Sequence, residues 1–435
     1  MSSFMQQPLA EAARRAPHWL QSLQSRGQAL WRNTPLPTRR SENWKYTGLT
    51  ALKDDYRFPA AGDVAPAALP QRLQGGLGGP RLVFVDGVYQ PSLSSPELPA
   101  GLGLCRFSEA DDRQAAQIAE YLGSVVGAAD HPFATLNSAL LSDGLFVEIA
   151  DDARLERPLE LLWLVRAAEQ PTAVNQRLLL LAGRHSSARV VEQFVSLDGA
   201  QPSFTNGVTE LLLRDGARLA HYRVQEEQGE ALHIGGVHAR LGRDAHLDSF
   251  HLAFGSQLTR LDLVVNHDGP GAHAQLNGIY LPRGEEHVDY HTTIEHAVPH
   301  GSTDEVFRGI ISDRASAVFN GRIHIHPQAQ KTRAELSNKN LLTSSEAEVN
   351  TKPELEIYAD DVKCAHGATV AQLDPLSLHY LRTRGVSRAE AEVMLSYGFI
   401  NALVERVDLE ALRDYLRPLL ATRFARDSEL ARHLL

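Results

Sequence analysis

Cys364 and His366 stand two residues apart in LEIYADDVKCAHGATVAQLDPLSLHYLRTR (355–384), and this pair is the clearest opening for metal chemistry in the chain. In a strand, alternate side chains share a face, so thiolate and imidazole would project side by side. Both can ligate iron or zinc, yet two protein ligands are too few for a closed tetrahedral site or a cluster. Cys105 is the only other thiol, so a cluster held here needs carboxylates, further histidines or a second polypeptide. From spacing alone a Cys-x-His pair is more often structural, because a buried free cysteine behaves as a small hydrophobe.

Other candidates are weaker. His324 and His326 in GRIHIHPQAQ share a strand face, but no third ligand is in view, and a hydrogen-bonded face ended by Pro327 explains them. His287, His291, His296 and His300 alternate with Glu285, Glu286, Asp289 and Glu295 at spacings that match no defined metal motif. Asp360 and Asp361 adjoin the Cys/His pair, and at most one can face its side. An Asp pair at a strand end reads as a turn or cap, the alternative being a hard ligand or a hydrogen bond that orients His366. Trp44, Lys45 and Tyr46 read as an aromatic packing anchor with a snorkelling lysine.

Several function classes lack support. No Gly-x-Ser-x-Gly elbow occurs, and the run Gly75 to Gly79 is followed by Pro80-Arg81 in place of Gly-Lys-Ser/Thr, so no nucleotide motif is found. A net charge of −10 gives no basic footprint for nucleic acid. No segment approaches the roughly 20 apolar residues that span a bilayer, and two cysteines cannot form a disulfide framework. These features lead us to expect a cytoplasmic chain without membrane or nucleic-acid partners.

The elements that must position the candidates follow from pattern. Apolar residues at helical spacing from Leu9 to about Trp31 predict a helix split at Pro17. PAAGDVAPAALP and QGGLGGP read as linker or surface loop. RLVFVDGVYQ predicts a hairpin at Asp86-Gly87, Ser108 caps a helix from Glu109 to about Val125, and a short helix runs from Pro132 to Leu141. Beyond Asp143-Gly144, short β segments recur with tight turns ending in Ala188, Ala217, Ala245 and Ala272, at spacings of 29, 28 and 27. Ala315 and Ala368 carry similar turns. A period in the twenties predicts a solenoid whose turns stack on one another, with a large β-sandwich as the alternative. Fifteen of the 19 histidines fall between His185 and His366, so many must lie on strands. Asp374 and Pro375 open a helix that Gly385 ends, Ser387 and Glu390 box the next from Arg388 to about Val407, and Leu409, Leu412, Leu416 and Leu419 stripe a third. This module of about 60 residues is small enough to need support from the solenoid end or a partner.

YADDVKCAHGATVAQLD with YLRTRGV, the block TRRSENWKYTGL (38–49) and NKNLLTSSEAEVNTKPELEIYADD (338–361) together resemble the SufB/SufD family of SUF iron–sulfur scaffold subunits, in collinear order and in the SufD form. The resemblance implies a mainly β fold: a central right-handed parallel β-helix (solenoid, 144–373), flanked by an N-terminal helical and α/β region (1–143) and a C-terminal helical module (374–435). It implies a non-enzymatic subunit of a SufBCD-type scaffold that assembles iron–sulfur clusters and hands them to apo-proteins. The chain would pair with a SufB-like paralogue through the end of the β-helix, or with itself when alone, and would dock a SufC-like ABC ATPase on the C-terminal helices. Dimerisation of that ATPase would move the docked subunits and expose the interface. The histidine matching His366 would be a metal ligand to a nascent cluster shared with the partner, with Cys364 a further cluster-binding candidate, and ATP binding would belong to the ATPase. The rivals are the SufB paralogue itself and a β-helix carbohydrate-active enzyme.

Overall fold

The computed structural model describes residues 5–53, 55–59, 68–126, 131–166, 170–197 and 202–424. Its strands are β1 (Arg81–Val85), β2 (Val88–Tyr89), β3 (Leu102–Arg106), β4 (Leu145–Ile149), β5 (Leu159–Val165), β6 (Thr172–Ala182), β7 (Ser187–Ser196), β8 (Ser203–Leu213), β9 (Arg218–Glu226), β10 (Ala231–Leu241), β11 (His246–Ala253), β12 (Leu258–His267), β13 (His273–Tyr280), β14 (His287–His296), β15 (Ser302–Ile311), β16 (Ser316–Ile325), β17 (Arg333–Leu342), β18 (Glu348–Ile357) and β19 (Lys363–Gln372). From β4 onward the chain alternates between two parallel sheets. One holds β18-β16-β14-β12-β10-β8-β6-β4-β3, the other β19-β17-β15-β13-β11-β9-β7-β5-β1-β2. This is the parallel β-solenoid that the turn spacing predicts. At its start, β2 runs antiparallel to β1 and β3 antiparallel to β4.

The repeat rests on a backbone device. His185, Gly216, Asp244, Gly271, His300 and Lys331 all have positive φ, and each precedes a small or branched residue that opens the next strand. Glycine, aspartate and histidine reach this left-handed conformation more readily than most residues. Their spacing of 31, 28, 27, 29 and 31 is the length of one solenoid turn. The alanine period is therefore correct for Ala217, Ala245 and Ala272, but Ala188 is two residues out of register. It pairs with Leu219, and the residue equivalent to Ala217 is Ser186. Ala315 turns into the other sheet, while Ala368 lies inside β19 and marks no turn.

Interior positions form columns along the stacking axis, because parallel pairing puts the same face of each strand in line. Leu219, Leu247, Ala274, Leu276, Leu336 and Phe307 belong to this core, with Leu178, Leu211, Leu261 and Ile323 opposite them. The outer faces are covered unequally. Helices α1 (Gln6–Arg15), α2 (Gln21–Arg32), α4 (Asp112–Tyr121) and α5 (Pro132–Ala139), with the short α3 (Gln71–Gln74), belong to the N-terminal region. Trp31, Phe133 and Leu136 from this region pack on Phe204, Leu232, Ile234 and Leu258 of the β18-to-β3 sheet. Helices α7 (Arg388–Val404) and α8 (Glu410–Phe424) bury Ile400, Leu403, Leu412 and Leu416 on Tyr222, Val224, Phe250, Leu252 and Ile279 of the other sheet. The sequence registers this difference. β5 is buried along its whole length and reads as a nearly continuous apolar run, whereas β14 and β16 alternate buried with half-buried residues because the helices leave their outer face largely uncovered.

Local signals place most flanking elements. Ala16 leaves the helix in an extended conformation ahead of Pro17, splitting α1 from α2. The 81–89 hairpin turns on Asp86 and Gly87, both at positive φ. Asp374 caps α6 (Pro375–Thr383), Gly385 follows at φ 87°, and Ser387 with Glu390 boxes α7. Some expectations need correction. The helix assigned to Glu109–Val125 is α4, capped by Asp111 after a 3-10 turn at Phe107–Glu109. On α8 the buried row runs through Leu420, with Leu419 at its margin. The C-terminal helices take support from the side of the solenoid, over β7 to β17, and leave its end open. Of the stretch read as linker, residues 60–67 lie outside the described residues.

Candidate functional site

β19 is the last strand of its sheet and β18 the last of the other, so each leaves a row of backbone N–H and C=O groups without a strand partner. Except for Cys364, the residues of β19 are exposed along its whole length. Ile357, Tyr358 and Val370 add exposed apolar surface to the same end. A long uncovered edge of this kind is a template for pairing with another chain.

Cys364 and His366 lie on β19 in register with Ala334 and Leu336. Those two are core residues, so the pair shares the inward face, continuing interior columns beyond the last covered turn. Cys364 is half-buried against the core, and that burial pushes its thiol above the usual range. His366 is exposed, and among the described residues nothing hydrogen-bonds its ring. No third His, Cys, Asp or Glu completes a ligand set with this pair among the described residues. Cys105 cannot join them. It is buried on β3, eight strand steps from β18, roughly 38 Å away at the usual strand spacing. Burial raises its pKa, and its Sγ donates to the Arg106 carbonyl at 3.1 Å, as a packing cysteine would.

The aspartates beside the motif serve the turn. Asp361 pairs with Lys331, its carbonyl accepts the Lys331 N–H, and Asp360 is exposed in the same bend between β18 and β19.

The histidine-rich segment of β14 divides between two faces. His287 and His291 lie outside: His287 hydrogen-bonds Thr47 at 3.0 Å and Ser316 at 2.6 Å, and His291 pairs with Asp289 at 3.0 Å. His296 lies inside, stacked on His267 with centroids 4.1 Å apart, and burial lowers its pKa to about 4. The anchor reading of the N-terminal block holds for Trp44, whose ring lies 4.0 Å from the Arg260 guanidinium. Arg260 is itself buried and bonded to Asp289 at 2.6 Å. Tyr46 is exposed and anchors nothing, and the Lys45 ammonium sits over its ring.

Two groups escape sequence reasoning. Glu305 is fully buried in the column Leu276, Glu305, Leu336, His366, a carboxyl two turns beneath the candidate histidine. Deeper in the solenoid, Glu192 bonds His221 and Thr209, while Arg223 bonds His233, which in turn bonds Glu227 at 2.6 Å. The Glu192–His221 link spans adjacent turns of the solenoid, and Glu192 and Thr209, like Arg223 and His233, stand on successive strands. The signal that reveals them is the register of turns, which local patterns do not carry.

Comparison with known proteins decides the family. Residues 164–399 match the family model described as SUF system FeS cluster assembly, SufBD core domain, and residues 4–161 match the SufBD protein N-terminal region. The chain belongs to the SufBD family. It is 34% identical over 406 residues to the iron-sulfur cluster assembly protein SufD of Escherichia coli, covering 93% of this chain and 92% of that one. An iron-sulfur cluster assembly SufBD family protein of Synechocystis is 32% identical over 403 residues, covering 89% and 87%. The SufD of Bacillus subtilis is 28% identical over 291 residues, covering 66% and 65%. Membership carries involvement in iron–sulfur assembly and in the SUF system generally. Among the described residues no helix is long and apolar enough to cross a membrane.

Proposed function

We propose that this SufBD protein is a non-enzymatic scaffold subunit that pairs with a SufB-like paralogue through the open end of its solenoid, contributes His366 to a nascent iron–sulfur cluster there, and takes part in passing the cluster to apo-proteins. The observation that carries the proposal is the uncovered β18/β19 end, with Cys364 and His366 on its inward face and no third ligand beside them among the described residues. A second solenoid abutting this end would extend both sheets by backbone hydrogen bonds and cover Ile357, Tyr358 and Val370. It would also supply the missing ligands from a partner, which a two-ligand set requires. The cluster is cargo assembled between chains, and no nucleotide need bind this one. In isolation the same surface favours a homodimer.

Cys364 is the weaker ligand of the two. Its raised pKa keeps the thiol protonated near neutrality, so ligation requires an incoming metal to displace the proton.

We place the ABC-type ATPase on the C-terminal helices, centred on α6. None of its residues is buried, and it exposes Leu376 and Tyr380, with Met394 of α7 also exposed. Truncation at Asp374 would be a poor test, since it would strip α7 and α8 from the apolar sheet face they cover.

The deciding experiment is anaerobic purification of the complex with His366→Ala. We expect the same partners to co-purify with markedly less iron and acid-labile sulfide. Unchanged cluster content would remove His366 as a ligand, and loss of the partner would make its role one of assembly.

A further inference from the structure

The outer face of β14, β16 and β18 is the part of that sheet which the N-terminal helices leave open, and it holds a second set of ligand-type side chains. His324 near the end of β16 and His326 just beyond it project to this face, as residues two apart on extended chain must. Glu295 of β14 lies in register with His324, one solenoid turn earlier. Its Oε2 is 2.6 Å from His324 Nδ1 and 3.0 Å from His326 Nε2. All three donor atoms lie within 4.8 Å of one another, the one group of three or more His, Cys, Asp or Glu so arranged among the described residues.

We infer that Glu295, His324 and His326 form a binding site for a divalent transition-metal ion such as Zn²⁺ or Fe²⁺. Two imidazoles and one carboxylate suit borderline ions of this kind, while Ca²⁺ and Mg²⁺ prefer all-oxygen shells. Metal–ligand bonds of about 2.0–2.2 Å set neighbouring donor atoms about 3–3.5 Å apart, so the ion enters with small side-chain shifts. The other carboxylate oxygen, Oε1, accepts from Arg322 Nη1 at 2.8 Å, and Arg322 is held in turn by Glu356 at 2.7 Å. The guanidinium therefore orients the carboxylate from the side away from the histidines. Glu295 and Glu356 outweigh the one arginine charge, leaving a net negative site around two imidazoles. Side-chain exposures of 18% to 34% leave room for water or an exogenous ligand to complete the coordination. The site is distinct from Cys364 and His366, which face inward from the other sheet.

The test is Co²⁺ and Zn²⁺ titration of the chelator-stripped full-length chain carrying Cys364→Ser and His366→Ala, so that this pair cannot respond. We expect one equivalent of Co²⁺ to bind with visible ligand-field bands. Either His324→Ala or His326→Ala should weaken Zn²⁺ binding by at least about tenfold, and Glu295→Gln should weaken it while retaining the carbonyl as a hydrogen-bond acceptor. Zinc-edge anomalous diffraction of the unsubstituted chain gives a readout independent of variant folding, and should place the ion between the three side chains. Undiminished Co²⁺ binding in the His324→Ala/His326→Ala double variant, no Co²⁺ binding by the parent, or an anomalous peak elsewhere would each overturn the inference and leave Glu295 as a hydrogen-bond acceptor for two rings.

Discussion

Glu305→Gln should make the protein more stable at pH 8 and barely alter it at pH 5. Glu305 is fully buried on β15, between Leu276 and Leu336 in the solenoid interior, and a weak contact with the Thr292 hydroxyl does not offset that burial. Burial pushes its pKa from 4.5 up to about 7. Below pH 4.5 the carboxyl is protonated in both folded and unfolded chains, so it contributes no pH dependence. Between 4.5 and 7 the unfolded chain releases a proton that the folded chain keeps, and stability falls by about 1.4 kcal/mol per pH unit. Above 7 both states are ionised and the penalty levels off at about 3 kcal/mol. Glutamine is close in shape and does not titrate. The stability difference between variant and wild type, measured by urea unfolding at pH 5, 6, 7 and 8, should therefore widen by roughly 2 to 3 kcal/mol across the series. Other titrating groups cancel in the difference. A difference that stays flat with pH would show that Glu305 ionises normally in the folded chain, and the reasoning from its burial would fail.

Three further outcomes can be measured directly. Glu210→Ala strands the buried Arg177 guanidinium, now 2.6 Å from its carboxylate partner, and should cost about 3 to 5 kcal/mol in a denaturant melt. Gly278→Val should destabilise by about 1 to 3 kcal/mol or more, since a β-carbon at 278 would lie 2.0 Å from the Phe307 ring, which Tyr290 and Phe319 hold in place. Leu376→Asp with Tyr380→Asp on α6 should leave the melting temperature within about a degree or two, because both side chains are exposed, and on the proposed docking should abolish co-purification of an ABC-type ATPase.

The parts of this fold that could be read from the chain are those decided within a few residues. Pro17, the Asp86-Gly87 turn, the Asp374 cap and the Ser387/Glu390 box each act on their own neighbourhood, and each stands where its chemistry puts it. The solenoid was visible because its turns repeat a left-handed residue ahead of a small one. Its register was not: turn lengths vary from 27 to 31 residues, and Ala188 fell two positions out. That variation hides every contact made across turns. Glu295 was in plain sight beside His296, but its relation to His324 and His326 depends on knowing that 29 residues make one turn at that point. Trp44 reaches Arg260 across more than 200 residues, which no periodicity could indicate. The Cys364/His366 face was legible because a strand alternates, whereas its place at an uncovered end depends on where the stacking stops.

The two ends of the solenoid are unlike. The first turn is closed off by the short antiparallel strands β2 and β3, and the last is bare. Stacked sheets with two bare ends would grow into fibres, each added unit offering the next a fresh edge. On the proposed pairing, one adhesive end per chain would stop growth at a pair. The asymmetry would then set a stoichiometry: a dimer joined end to end would have spent both of its adhesive surfaces, and whatever formed at the seam would be enclosed between two chains.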